Sequence, residues 1–338
     1  MTGVLVTCAS EPPGLELCRA LAMRAPVIAC GPEPEQEMAP LLEETGIRYL
    51  QADLSHSRQR RAVLFGPALE AGVDAVLHAP SFDPHRPHGN ADTLRELIHL
   101  CERHPTIRRF LYRGTADVYR SGPGDPAVID EEHPVEPDEE APPWLRDLVE
   151  ADQAACAHLG GSRLRIAVLR CAELYAEGAH GQLRRWLDSQ PCLRPLGFDP
   201  VVNLIGKDDL IRAVSLALRS QAAGVFNIQG ADTLPLSQLA AKEGRSCLAL
   251  PDPVLSLAYR LRALAGPSFD YRTNRPRFHF GGVVCGRAAL AAFGYQPRTP
   301  IRWAPQGLSP PPAVNTVAGK DPARRARGAP GSVLQARA

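Results

Sequence analysis

The sequence predicts an α/β fold: a doubly wound parallel sheet with helices on both faces, joined to a smaller C-terminal α/β lobe. Two observations predict it. Short runs of Val, Ile, Leu and Ala without polar alternation recur through the first half of the chain, as strands buried on both faces require. Between them lie stretches with apolar residues at helical spacing, so strands and helices alternate and each strand–helix–strand unit closes parallel.

The first strand is Val4–Thr7, and the helix after it runs from Gly14 to Met23 on Leu15, Leu17, Ala20, Leu21 and Met23. Val27–Cys30 is the second strand, Ile47–Ala52 the third and Asp74–Ala79 the fourth. Leu94, Leu97, Ile98 and Cys101 stand at i, i+3, i+4 and i+7, which makes Thr93–Glu102 a helix with one buried face. Arg109–Tyr112 and Leu164–Leu169 are the fifth and sixth strands. Ser121–Pro143 is rich in Pro, Gly, Asp and Glu and reads as an exposed loop with solvated acidic residues. Helices follow at Asp208–Leu218, Ser237–Glu243, Val254–Leu264 and Gly286–Phe293, the last closed by Gly294, with a strand at Gly224–Ile228. From about Ala304, Pro, Gly, Ala and Arg dominate without aromatic anchors, so residues 304–338 are expected to form a disordered tail.

With 338 residues, 44% of them hydrophobic, the chain can bury a sizeable core. A formal net charge of +1 with 22% charged residues gives no long-range pull toward nucleic acid or an anionic membrane. No apolar run reaches the length of a spanning helix. Met1–Thr7 leads straight into a strand, without the basic, apolar and small-residue order of a secretory signal, so a cytoplasmic protein is expected. Nine cysteines, without a Cys-x-x-Cys pair, read as reduced thiols and not as a disulfide framework; no metal site is expected.

Thr7-Cys-Ala-Ser-Glu-Pro-Pro-Gly14 lies between the first strand and the first helix. A dinucleotide-binding fold presents small residues and helix N–H groups to a pyrophosphate at this place. Residues 1–175 are accordingly expected to be a Rossmann-type dinucleotide-binding core. Residues 176–303 are expected to be a substrate lobe, with strands and helices returning to that core. The turn resembles T-G-x-x-G-x-x-G, with Gly14 retained and Cys8 and Glu11 at the other two glycine places. Cys8 must enter a turn that glycine makes freely. Glu11 brings a carboxylate toward the pyrophosphate position, and Pro12 and Pro13 remove two N–H donors, although proline suits the first turn of a helix. The carboxylate is expected to weaken dinucleotide binding by about 1–2 kcal/mol. After the second strand, Gly31-Pro32 offers neither the acid that takes an NAD ribose nor an arginine for the 2′-phosphate of NADP.

Further motifs follow in order. Asp53-Leu54 closes the third strand, His78-Ala79 the fourth, and Asn90 opens the next helix. Phe110-Leu-Tyr-Arg-Gly-Thr-Ala-Asp-Val-Tyr119 resembles F-v-y-x-S-S-x-x-V-Y-G, and Leu169-Arg-Cys-Ala-Glu-Leu-Tyr175 resembles L-R-P-x-x-V-Y-G. Asn203–Asp209, Val225–Gly230 and Phe293–Pro297 resemble f-I-H-V-D-D, v-y-N-v-g-g and L-G-W/Y-x-P. Together they give the chain a resemblance to the NAD-dependent epimerase/dehydratase group, the extended short-chain dehydrogenases. The resemblance implies NAD or NADP bordered by Thr7, Ser10, Gly14, Asp53, Leu54, Ala79 and Cys171. It implies Thr115 as the catalytic hydroxyl, a nucleotide-sugar-like small molecule as ligand, and a homodimer built on two helices.

In that family a tyrosine exchanges a proton with the substrate, and a lysine one helical turn later lowers its pKa and holds the nicotinamide ribose. Here Pro143-Trp-Leu-Arg-Asp-Leu-Val-Glu-Ala-Asp152 resembles P-Y-x-x-S-K-x-x-x-E, with Trp144 at the tyrosine and Leu148 at the lysine. Tryptophan has no titratable proton and leucine no charge. Tyr-x-x-x-Lys occurs nowhere in the chain, whose lysines are Lys207, Lys242 and Lys320. The expectation is a weakly active or non-catalytic binder of a nucleotide or metabolite. The alternative is an atypical oxidoreductase, epimerase or dehydratase that works through Tyr119, Tyr175, His78 or Asp117, with Arg146 as a cation.

Overall fold

A computed structural model describes residues 2–42, 46–80, 82, 90–135, 141–176, 181–265 and 269–303; the tail expected over 304–338 lies outside the described residues. The first half alternates as its periodicity requires. In order come β1 (Val4–Thr7), α1 (Gly14–Ala22), β2 (Val27–Gly31), α2 (Glu35–Leu42), β3 (Arg48–Gln51), α3 (Ser57–Val63), β4 (Ala75–His78) and α4 (Asn90–Arg103). Then follow β5 (Arg109–Thr115), β6 (Val128–Ile129), α5 (Pro143–Ala157) and β7 (Arg165–Cys171). The second half adds β8 (Glu173–Tyr175), α6 (Gln182–Asp188), β9 (Cys192–Pro195), β10 (Val201–Gly206), α7 (Lys207–Arg219) and β11 (Gly224–Ile228). It ends with β12 (Asp232–Pro235), α8 (Leu236–Lys242), β13 (Cys247–Leu250), α9 (Asp252–Ala265), α10 (Tyr271–Phe280), β14 (Val283–Val284) and α11 (Arg287–Phe293).

Seven strands form the central sheet in the order β3-β2-β1-β4-β5-β7-β11, every pair parallel. Connections leave β1 toward β2 on one side and, after β3, cross to β4 on the other, so the chain reverses direction between β1 and β4, the place where open parallel sheets generally take ligands. Leu17 and Leu21 of α1 and Val214 and Ala217 of α7 pack on one face; Val63, Leu94, Ile98, Ala151 and Ala155 of α3, α4 and α5 pack on the other. Arg170 of β7 clamps α5 to the sheet: its Nε and Nη2 donate to Asp152 Oδ1 and Oδ2 at 3.0 and 2.6 Å, and both side chains are buried. Deleting either partner of such a pair costs about 3–5 kcal/mol, because the other charge stays buried.

The second lobe carries a three-stranded sheet, β12-β10-β8, and a pair, β13-β9. Its core is aromatic: Trp186, Tyr259, Phe269, Tyr271 and Phe278 are buried together, and the Trp186 indole donates to the Leu193 carbonyl at 2.8 Å. The Ser121–Pro143 segment corrects the expectation of a simple exposed loop. Within it β6 pairs in parallel with β14, Ile129 is buried, and the Asn227 side-chain Nδ2 donates to the Ile129 carbonyl at 3.2 Å. A two-residue strand held by a partner 155 positions away leaves no period to read. Among the described residues no helix is long and apolar enough to cross a membrane, and no group of three His, Cys, Asp or Glu side chains is placed to hold a metal.

Candidate functional site

The carboxyl ends of β1, β4, β5 and β7 form one edge. Register sets Thr7 beside His78, His78 beside Tyr112 and Thr115 beside Cys171. The turn after β1 keeps a tight shape without its first glycine. Cys8 takes φ +58°, the one positive φ found outside glycine among the described residues. Holding an L-residue there costs about 1–2 kcal/mol. Gly14 allows the close approach: a Cβ there would lie 2.4 Å from the Cys8 carbonyl oxygen and 2.8 Å from Ala9 Cα. The Ala9 amide donates to the Cys30 carbonyl at 2.9 Å, which fixes the turn to β2. Ser10 Oγ sits over Gly31, where a Cβ would meet it at 2.3 Å, next to the Tyr49 hydroxyl.

Of the residues expected beside a cofactor, Thr7, Leu54, Ala79 and Cys171 are buried. Thr7 Oγ1 is 2.7 Å from His78 Nδ1. Burial lowers the His78 pKa to about 4, so the ring is neutral at pH 7. The Asp53 carboxylate accepts the Ser55 amide at 2.9 Å, and hydrogen bonding to Ser55 holds its pKa below the usual range. Thr115 Oγ1 accepts the Asp117 amide at 3.2 Å and caps a short turn at Ala116–Val118.

The two positions that the resemblance assigns to the tyrosine and lysine lie in apolar packing. Leu148 is 2% exposed and clusters with Val118 and Val149, and Phe82, Val135, Trp144 and Leu145 pack against them. The nearby cation comes from β5. The Arg113 guanidinium reaches past β4, donating to the Pro80 carbonyl at 3.0 Å and lying 4.4 Å over the Phe82 ring. Arg113 is buried, and its Nε meets no hydrogen-bond partner among the described residues. Sequence reasoning passed over Arg113, although an arginine within an apolar strand was the available signal. Arg146, the cation it did consider, is exposed.

Beyond β5 and β7 a cleft of about 750 Å³, counted out to its mouth, opens between the sheet edge and the second lobe. Asp117 and Arg277 of α10 form an ion pair across it, and Arg277 also bonds the Asp117 carbonyl. Glu173 lies beside them. Burial, then the Asp117 charge, push its carboxyl up to about 8, against the Leu183 amide it accepts. The Tyr119 hydroxyl donates to Asn227 Oδ1 at 2.7 Å, and burial raises its pKa to about 12. Tyr175 bonds the Glu243 carboxylate, and burial pushes its pKa up as well. Both tyrosines are thus already engaged, while Asp117 and Glu173 put two carboxyls into the cleft.

Arg113 Nε and His78 Nε2, both buried toward the ends of β5 and β4 and without a hydrogen-bond partner among the described residues, together with the close turn at Gly14, fit an oxygen-rich nucleotide along this edge.

No family model matches the chain. Over 241 residues it is 28% identical to uncharacterized proteins of Mycobacterium tuberculosis and Mycobacterium bovis, covering 67% of this chain and 62% of theirs. The chain thus spans less than two thirds of the length of these curated relatives. Among solved structures, it is similar to UDP-glucuronic acid 4-epimerase from Bacillus cereus in complex with UDP-glucuronic acid and NAD. There the TM-score is 0.63 at 17% identity, over 88% of this chain and 95% of that one. A dTDP-glucose 4,6-dehydratase from Bacillus anthracis in complex with NAD gives 0.64 at 14% identity, over 88% and 92%. The enzyme of the same name from Streptomyces venezuelae, with NAD bound, gives 0.64 at 18%, over 88% and 93%. The fold is therefore the one these NAD-bound epimerases and dehydratases share.

Proposed function

We propose that this chain is an extended short-chain dehydrogenase relative that binds a nicotinamide dinucleotide and a nucleotide-sugar-like molecule with little or no catalysis. The observation that carries this reading is the state of the dyad positions: Leu148 is sealed in an apolar cluster with Trp144 packed against it. A missing general acid–base costs about 10²–10⁴-fold in rate. When bound, NAD or NADP supplies a hydride acceptor or donor. The turn from Thr7 to Gly14 would hold its pyrophosphate and Asp53 would border the adenine. Arg113, Thr115 and Cys171 would border the nicotinamide end. Thr115 can orient a substrate oxygen by a hydrogen bond, and Trp144 then offers that oxygen no proton. The likeness to structures holding NAD and UDP-glucuronic acid supports the ligand class.

Calorimetry with NAD, NADH, NADP and NADPH, followed by incubation with UDP-glucuronic acid and product chromatography, tests it. Saturable binding of at least one dinucleotide without product is expected. Turnover at ordinary enzyme rates, or no binding up to millimolar concentration, would refute it.

One observation favours the second reading, an oxidoreductase, epimerase or dehydratase with non-standard residues. Glu173 holds a carboxyl with a pKa of about 8 in the substrate cleft, beside Asp117. A carboxyl that titrates near neutral pH is suited to exchange a proton. Under this reading turnover exists and Glu173→Gln removes it.

A further inference from the structure

A second cavity opens at the opposite edge of the central sheet. It is walled by the starts of β4, β5 and β7 and by the end of α7, and Arg108, Arg109, Arg165 and Arg219 line it with Asp74 and Ser220. Arg109 and Thr115 stand six positions apart along β5, a rise of about 20 Å, so this cavity is remote from the dinucleotide edge. Four arginines and one carboxylate line it in a chain whose net charge is +1; Arg108 Nη1 also donates to the Ile107 carbonyl and Arg219 Nε to the Ser215 carbonyl. That carboxylate is already engaged: Asp74 Oδ1 and Oδ2 each accept the Thr2 amide at 3.0 Å.

Arg109 is the built part of the site. It is 7% exposed, its Nη1 donates to the Ala217 carbonyl at 2.6 Å, and its Nη2 is buried with no partner among the described residues. Capping the end of α7 explains one nitrogen and leaves the other pointing at nothing. Arg165 is exposed and stands near enough to Arg109 to repel its charge, against the attraction of Asp74. Like charges are gathered here, and a buried donor is left open. Either feature costs stability, and an anion in the cavity offsets both. Guanidinium forks match the paired oxygens of phosphate better than they match chloride.

We propose that this cavity is a binding site for a phosphate-type oxyanion, held by Arg109 from within and by Arg165 and Arg219 at the rim. The ligand is inorganic phosphate or pyrophosphate, or the phosphate of a larger molecule whose remainder lies in solvent. The site is separate from the groove assigned to the dinucleotide and does not depend on that assignment.

The test is calorimetric titration of the full chain with sodium pyrophosphate at constant ionic strength, repeated with adenosine monophosphate to separate a free anion from a phosphate carried by a larger molecule. The variants are Arg165→Ser/Arg219→Ser, both at exposed positions, and Arg109→Met. Wild type should bind with one-site saturation, and each variant should weaken binding about tenfold or more, the share expected of a lost charge-assisted hydrogen bond. The circular dichroism spectrum and urea midpoint of the rim variant should match wild type, which checks that it is folded. No saturable binding to wild type up to millimolar concentration, equal binding by the rim variant, or competition of pyrophosphate by NADH would each overturn the proposal.

Discussion

The turn after β1 and the helix α5 both depart from the motifs they resemble, and each accommodates the departure differently. At the turn, Cys8 adopts the left-handed backbone that glycine would take, and Gly14 keeps the contact that no Cβ permits. The shape survives a changed sequence. At α5, the backbone is a regular helix and the side chains have closed over the site: Leu148 is buried and Trp144 packs on its cluster. Backbone geometry can be held by neighbouring contacts at the cost of about 1–2 kcal/mol of strain. A proton donor is a particular atom, and no packing can replace it.

Leu148→Lys presses hardest on this contrast. A lysine in a cluster that is 2% exposed at this residue carries an unpaired charge into an apolar setting. A loss on the order of 3 kcal/mol is expected in urea unfolding. Tolerance within a few tenths would mean that the lysine place is still open. Gly14→Ala comes next. Its Cβ would stand 2.4 Å from backbone oxygen. We expect about 1–3 kcal/mol of destabilisation and weaker dinucleotide binding, measured by denaturation and by NADH fluorescence.

A smaller effect concerns pH. The Glu173 carboxyl holds its proton to about 8 in the folded chain, against an ordinary 4.5. The folded state therefore carries an extra proton between those values. The stability this group contributes is complete below pH 4.5 and falls as the pH rises toward 8. Glu173→Gln should flatten that part of the stability curve; an unchanged slope would place the titration elsewhere. The smallest effect is that of Cys8→Gly. Relief of left-handed strain opposes the extra entropy of unfolded glycine, so stability should change by less than about 1 kcal/mol, with dinucleotide affinity kept or improved. A large loss would mean that the Cys8 side chain itself supports the turn.

The sequence determined the parallel sheet, because runs such as Val4–Thr7 and Val27–Cys30 can be satisfied only between two covered faces. It also determined that no tyrosine–lysine pair exists, since that is a property of residue order. The tertiary structure decided which distant residues meet around these positions. Arg113 reaches Pro80 and Phe82, 33 and 31 residues away, and Arg277 reaches Asp117 across 160. Glu173 is an unremarkable acid in sequence, and its shifted titration arises only from the burial and the neighbouring charge that folding gives it. Local pattern reports the face a residue turns to the core; the partner it finds there depends on how distant segments meet.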